Sequence, residues 1–261
     1  MLGVEGMRDD PGQPIVPGHE IVGVIDPVGD EVKTWQVGDR VGLGFLGGHC
    51  GVCEWCRRAD FVDCKNQPQP GTTEDGGYAE VVYARATGLV RIPETLKSLD
   101  ASPLLCAGIT TFNALRSINA KPDALVGVQG IGGLGHLGVQ YANKLGYRAV
   151  AIARGAEKAA LAKQLGAHHY IDSAKADPGA ALQELGGAAA VIATAASVGG
   201  RSIVGSLTGT PAENEDNLAF SSAHGVAAMI ETMPFEDAPK AYERMMSGAA
   251  RFRVVLDIAS E

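Results

Sequence analysis

Apolar residues fall in two different rhythms along this chain. Over residues 20–45, short Val/Ile runs alternate with turn signals: a run at 20–25, a Gly29-Asp30 turn, and Gly38-Asp39 ahead of Arg40-Val41. Brief apolar runs separated by glycine-acid pairs predict a meander or small barrel, because each run suffices for one short strand. Gly76-Gly77 introduces a further predicted strand over 78–83, and residues 89–92 form another. Ser102-Pro103 offers an N-cap and a proline at the first helical position, so a helix carrying Cys106 is predicted to run to about residue 118.

From residue 125 the pattern alternates between strand and helix. Apolar runs at 125–129, 149–153, 169–172 and 189–194 are separated by helical segments. The first, from Gly133, puts Leu134, Leu137, Tyr141 and Leu145 on one face and stops at Gly146; the second spans 156–165 and stops at Gly166; the third lies near Ala180. Glycine just beyond a helix supplies the left-handed residue that ends it. Alternating strands and helices imply a parallel, doubly wound sheet, so the expected class is α/β. After residue 225 the rhythm breaks, with a helix over 238–246 and a final strand over 253–258 placed to return to the first domain.

At 261 residues and 46% hydrophobic, the chain can bury one large core or two modest ones. A formal charge of -8 and no basic stripe argue against a nucleic-acid partner. No apolar run approaches the ~18 residues that cross a bilayer, so no membrane partner and a cytoplasmic location are expected. Glycine clusters at 42–51 and 130–138, the two segments that carry the chemistry.

In the first of these, Cys50, Cys53, Cys56 and Cys64 form a C-x2-C-x2-C-x7-C run. Two-residue spacers turn successive thiolates toward one point and the longer arm closes the cage, which predicts a structural zinc with Zn–S of about 2.3 Å. Two disulfides are the alternative, but they belong to small secreted chains, and neither a leader segment nor a partner for Cys106 is evident. Arg57, Arg58 and Lys65 are placed to offset the excess negative charge of four thiolates around one zinc.

In the second, Gly130-Ile131-Gly132-Gly133-Leu134-Gly135 follows a predicted strand and opens a helix. In that context the glycines permit a tight turn and close approach of a dinucleotide pyrophosphate to the helix N-terminus. The end of the next strand reads Ala153-Arg154, with no carboxylate for a ribose 2′-hydroxyl, whereas Arg154 and Lys158 suit a 2′-phosphate. NADP is therefore expected over NAD.

The order Gly18-His19-Glu20, the cysteine run, Cys106-Ala-Gly-Ile-Thr110 and the glycine motif closely resembles the zinc-dependent alcohol dehydrogenases of the medium-chain dehydrogenase family, over nearly the whole chain. The resemblance implies a GroES-like catalytic domain with a zinc lobe (1–116), a Rossmann domain (117–225) and a C-terminal return (226–261). It implies that His19 and Cys106 ligate a catalytic zinc, with Glu20 beside them as supporting or alternate ligand. Thr110 is implied to pack on the nicotinamide, Lys158 to meet the adenosine ribose and Arg253 the pyrophosphate. The implied reaction is hydride transfer between a small alcohol or aldehyde and NAD(P), with zinc polarising the oxygen.

Two departures shape the expectations. The family has a further catalytic cysteine, then a His and a Ser/Thr-Asp pair, before Gly-His-Glu; none of the eighteen residues before His19 is Cys, His, Ser or Thr. With His19 and Cys106 as ligands, or three with Glu20, weak metal binding and impaired turnover are expected. Only residues 195–200 separate the strand at 189–194 from a strand-like run at 201–207, whereas a parallel crossover needs a dozen or more. An internal segment that would hold the fifth strand and the subunit-pairing strand is thus expected to be missing, and a family-type oligomer with it. The competing readings are a non-catalytic remnant that binds dinucleotide and zinc, and a zinc-ribbon interaction protein.

Overall fold

The computed structural model describes residues 14–194 and 204–258. Along them run β1 (Ile21–Val24), β2 (Arg40–Leu43), β3 (Leu89–Arg91), α1 (Ser98–Ala101), α2 (Ala107–Arg116), β4 (Leu125–Gln129), α3 (Gly135–Lys144) and β5 (Arg148–Ala153). Then follow α4 (Ala159–Gln164), β6 (His169–Asp172), α5 (Pro178–Glu184), β7 (Ala190–Ala193), α6 (Pro211–His224), β8 (Ile230–Pro234), α7 (Ala238–Met246) and β9 (Arg253–Asp257). They group into two compact units. The first takes the chain up to Ile109, Thr208–Ala223 and the part from Ile230 onward; the second takes residues 110–207 and 224–229.

In the first unit β1, β2 and β3 form an antiparallel sheet, with Ile21 opposite Leu43 and Val41 opposite Arg91. Gly42 has no side chain because a Cβ there would lie 2.7 Å from the buried Leu105. Near the C-terminus β8 and β9 run parallel, joined through α7, and Glu231 of β8 binds the Arg244 guanidinium and the Arg251 N–H.

The second unit holds a parallel sheet in the order β6-β5-β4-β7. Both faces of β4 and β5 are covered, which is why their sequences are unbroken apolar runs rather than alternating ones. Leu125, Val150, Ile152, Ile171 and Leu182 pack together on one side. The order reverses direction between β4 and β7, which places a crevice at their C-terminal ends.

Four expectations require correction. The helix expected from Ser102 through Cys106 is broken: residues 102–105 form a 3-10 turn, Cys106 takes φ -130 and ψ -66, and α2 starts at Ala107. Ser102 is not its cap, since its hydroxyl donates to Leu99 O. The strand expected over 78–83 does not form. Backbone pairing from Gly76, Gly77 and Tyr78 goes to residues 16–18 and stops there, leaving Val81 and Tyr83 exposed. The helix α6, unanticipated, draws residues 208–223 into the first unit rather than the second. Finally, most of the run expected at 201–207 lies outside the described residues; 204–207 carry no strand, and Val204 and Leu207 are exposed. Among the described residues β7 pairs with β4 alone.

Candidate functional site

The four cysteines meet. All four sulfurs lie within 4.8 Å of one another, with Cys53–Cys56 at 3.5 Å and Cys50–Cys56 at 4.0 Å, and none is in a disulfide. A tetrahedron with metal–sulfur bonds of about 2.3 Å has edges of about 3.8 Å, so the cage has the size zinc requires. Local backbone builds it: Gly51 and Ala59 both take left-handed φ, and a 3-10 turn at Cys56–Arg58 folds the chain back. Val52 and Cys53 N–H groups hold the Cys50 thiol down to about 6, and the Cys56 and Lys65 N–H groups lower Cys53. Burial and the neighbouring sulfurs push Cys56 up to about 12. An all-sulfur set already partly ionised suits Zn²⁺. Lys65, expected to balance the thiolates, spends its charge chiefly on Glu54 at 2.7 Å.

A second constellation joins segments distant in sequence. Gly18 takes φ +103, and a Cβ on it would lie 2.6 Å from the Tyr78 ring, so the chain passes beneath that ring into His19. The Gly76-Gly77 pair, read from sequence as a strand opening, instead grips this approach: Gly77 N–H donates to Gly18 O and Tyr78 N–H to Pro17 O. The His19 ring meets Phe45 edge-on at 5.3 Å. Burial lowers the His19 pKa below the ordinary histidine value, with Glu20 opposing and Arg253 assisting, which favours the neutral imidazole that ligates metals.

Glu20 ties the parts together. Its Oε1 accepts the Ala107 N–H at 3.2 Å, beside Cys106, and its Oε2 accepts from Arg253 Nη2 in a partly buried ion pair. Both carboxylate oxygens are engaged. Among the described residues only the four cysteines form a group of three or more converging ligands. Arg253, which the resemblance assigns to pyrophosphate, commits one nitrogen to Glu20, and Cys106 and Tyr78 also favour its charge. A cavity of about 560 Å³ opens beside the cysteine lobe, lined by His49, Phe61, Thr87, Thr210 and Glu213, but it includes none of His19, Glu20 or Cys106.

In the second unit, β4 delivers the chain to Gly130 at φ +92. A Cβ on Gly135 would lie 1.6 Å from Gly130 O, so α3 packs directly on the loop, while nothing lies within 4 Å of a Cβ on Gly132. That open space and an α3 start without a side-chain cap fit a pyrophosphate; Gly133 and Leu134 complete the turn. Two residues unmarked by the sequence reading brace it. Thr194, just past β7, donates to Gln129 O and Gly130 O. The buried His136 bonds Gly132 O through Nδ1 at 2.8 Å and accepts the Met229 N–H at Nε2. No motif spacing announces either of them.

Arg154 is exposed at the end of β5, Lys158 half-buried in the following turn, and Thr110 half-buried in α2. The expectation that no carboxylate stands at this strand end is corrected. Gly155, at φ +92, turns the chain so that the Glu157 carboxylate covers it, and its N–H donates to Asp172 at 2.8 Å. Sequence separation hid Asp172, which β6 brings opposite Ala153. The N–H groups of Ala174 and Gly155 hold its carboxyl below the usual range.

Residues 3–94 match the alcohol dehydrogenase GroES-like domain family and residues 133–200 the zinc-binding dehydrogenase family. An alcohol dehydrogenase of Aspergillus sp. (strain MF297-2) is 41% identical over 279 positions, covering 94% of this chain and 82% of the relative. That aligned length exceeds the 261 residues of the chain, so the relative contains positions with no counterpart inside it. An alcohol dehydrogenase of Geobacillus stearothermophilus is 36% identical, covering 95% and 84%. The solved alcohol dehydrogenase of Aeropyrum pernix superposes with a TM-score of 0.82 at 26% identity, covering 94% and 83%. Fold, cysteine cage and relatives agree that the chain belongs to the zinc-dependent alcohol dehydrogenases of the medium-chain dehydrogenase family, oxidoreductases that use zinc and a nicotinamide cofactor on small alcohols or aldehydes.

Proposed function

We propose that in this dehydrogenase His19 and Cys106 hold the catalytic zinc, that Cys50, Cys53, Cys56 and Cys64 hold a structural one, and that the hydride carrier is NADP. The observation that carries the reading is the Glu20 bridge, which links the His19 segment to the Cys106 turn across 87 residues of sequence. When bound, the zinc supplies Lewis acidity at the substrate oxygen while the nicotinamide exchanges hydride with its carbon.

The chain's own residues do the rest. His19, neutral and packed on Phe45, presents a nitrogen lone pair. Glu20 holds the Cys106 turn and neutralises Arg253. Gly130 to Gly135 admit the cofactor pyrophosphate, Thr110 packs on the nicotinamide and Lys158 meets the ribose. Cysteines that form no disulfide among the described residues fit a reducing cytoplasm, and no helix among those residues is long and apolar enough to cross a membrane.

NADP rests on the exposed Arg154 and on Lys158 at the end of β5. A Mycobacterium bovis relative, 33% identical and covering 96% of this chain, is named an NADP-dependent alcohol dehydrogenase. The Glu157 carboxylate over Gly155 favours NAD as the second reading, since it would repel a 2′-phosphate. Titration separates them. On the NADP reading, Arg154→Ala weakens NADPH binding by about tenfold, the worth of one exposed charge-assisted contact, and leaves NADH unchanged. Equal loss for both cofactors removes NADP. Metal content tests the rest: His19→Ala and Cys106→Ser each reduce bound metal from two per chain to one, and a variant that keeps both overturns the ligand assignment.

A further inference from the structure

The break at Cys106 creates a problem that another segment solves. A helix running through residues 102–116 would use the Leu104 and Leu105 carbonyls in its own ladder, but the chain turns at Cys106 before α2 begins. Both leucines are completely buried. A buried carbonyl without a partner costs about 1–3 kcal/mol, so the turn needs donors from elsewhere. α6 supplies them. Asn217 Nδ2 donates to Leu104 O at 2.9 Å and Asn214 Nδ2 to Leu105 O at 3.0 Å. The two amides are joined, Asn217 Nδ2 also donating to Asn214 Oδ1 at 3.3 Å, and they are 0% and 3% exposed.

The surroundings keep that network in place. Gly44, just past β2, makes room for it, since a Cβ there would lie 2.7 Å from Leu105 O and 3.4 Å from Asn214 Nδ2. On the other side of Cys106, the Ala107 N–H is held by Glu20. The two peptide groups before the cysteine and the one after it are therefore fixed by side chains from α6 and from the start of β1.

We infer that Asn214 and Asn217 are positioning residues for the dehydrogenase reaction: they hold open the helix break that aims the Cys106 sulfur at the catalytic metal. The inference rests on the assignment of Cys106 as a ligand. An apolar residue at either position would leave a carbonyl without its donor and favour closure of the break into continuous helix, which rotates the sulfur away. The asparagines thus act through Cys106 and touch no substrate.

The test uses the full chain with zinc retained in the cysteine lobe and Co²⁺ titrated as the probe. The parent should show a thiolate-to-cobalt absorption band that Cys106→Ser abolishes. Asn214→Leu keeps the branched shape and removes the donor; Asn217→Ser, which leaves room for a bridging water, serves if the leucine variant does not fold. Each should weaken the cobalt site by about tenfold or more, the usual effect of removing a residue that orients a ligand, while lobe zinc stays at one per chain. The rate of Cys106 alkylation by iodoacetamide in the cobalt-free protein should change severalfold in the same variants. Ser221→Ala is the control for a merely structural role: its hydroxyl bonds Asn217 O one turn along, so it should lower the melting temperature without moving either readout. Cobalt affinity and alkylation both within about twofold of the parent in the asparagine variants overturn the inference even if stability falls. If Cys106→Ser keeps the cobalt band, or the parent shows none, the ligand assignment has failed and the inference fails with it.

Discussion

The molecule holds two candidate metal centres built in opposite ways. The cysteine lobe takes all its donors from residues 50–64 and shapes them with local turns: a left-handed Ala59, a glycine at 51 and N–H groups aimed at sulfur. The His19–Cys106 centre takes its parts from the start of β1, the break before α2 and the start of β9, and needs α6 to hold one of them. A local cage can form before the rest of the chain folds; a composite one exists only after long-range contacts are made. The first should fail by losing its metal, and the second by losing its scaffold.

The largest expected effect lies in the lobe. Cys56 is buried among the other three sulfurs, and a structural zinc contributes its binding free energy directly to folding. Cys56→Ser should release the lobe zinc and cost on the order of 3 kcal/mol or more in unfolding free energy. Zinc stoichiometry and urea unfolding measure both. A serine variant that retains stability without zinc would show that the lobe folds on backbone contacts alone, and the contrast with the composite centre would collapse.

Next comes the tie in the composite centre. Removing one partner of a buried ion pair leaves the other charge uncompensated, at a cost of roughly 3 kcal/mol, reduced here because the pair is partly solvated. Glu20→Leu should therefore lose ~2 kcal/mol of stability and nearly all activity, with lobe zinc unchanged. Arg253→Leu should repeat the loss, and the double variant should cost less than the two together, because the pair acts as a unit. Additive losses would mean that Glu20 and Arg253 act separately.

The same contrast explains what could be read from sequence. Four cysteines at short spacing and a glycine motif after a strand are local statements, and the strands at 125–129 and 169–172 were legible to the residue because a buried parallel strand is a simple apolar run. The Cys106 break was not legible: Ser102-Pro103 is a good helix start, and nothing nearby says that Glu20 and two asparagines on α6 will hold the chain out of a helix. Residues 78–83 misled for a related reason. Their side chains suit a strand, but a strand is made by its neighbour, and none is present among the described residues. Asp172 and Glu157 escaped because cofactor preference was read from one strand end, while parallel pairing and Gly155 bring in acids from beyond it.

Acidification offers a milder probe of the composite centre. Burial depresses the His19 pKa, so with the second site free of metal the unfolded chain binds the proton more readily than the folded one. Stability is then fully present above the unfolded value of about 6.5 and declines as pH falls below it toward the lower folded value. His19→Asn should flatten that part of the curve between pH 7 and pH 5. Unfolding by urea at the two pH values gives the slope. An unchanged slope would mean that His19 is solvated in the folded chain, which its packing on Phe45 argues against.

The smallest effect concerns the charges around the lobe. If the excess negative charge of the zinc-thiolate cage were balanced by nearby cations, Lys65 would matter greatly. Its ammonium lies 2.7 Å from Glu54, however, with both side chains more than half exposed, and exposed pairs of this kind contribute about 0–1 kcal/mol. Lys65→Gln should therefore leave urea unfolding unchanged within error, and zinc transfer to a chelator should stay within about twofold of the parent at moderate salt. The backbone N–H groups of Val52, Cys53, Cys56 and Lys65 remain in that variant, and they carry the stabilisation of the thiolates. Zinc release about tenfold faster at low salt and restored at high salt would instead place the balance of charge on the side chains, and the lobe would then depend on its surroundings much as the composite centre does.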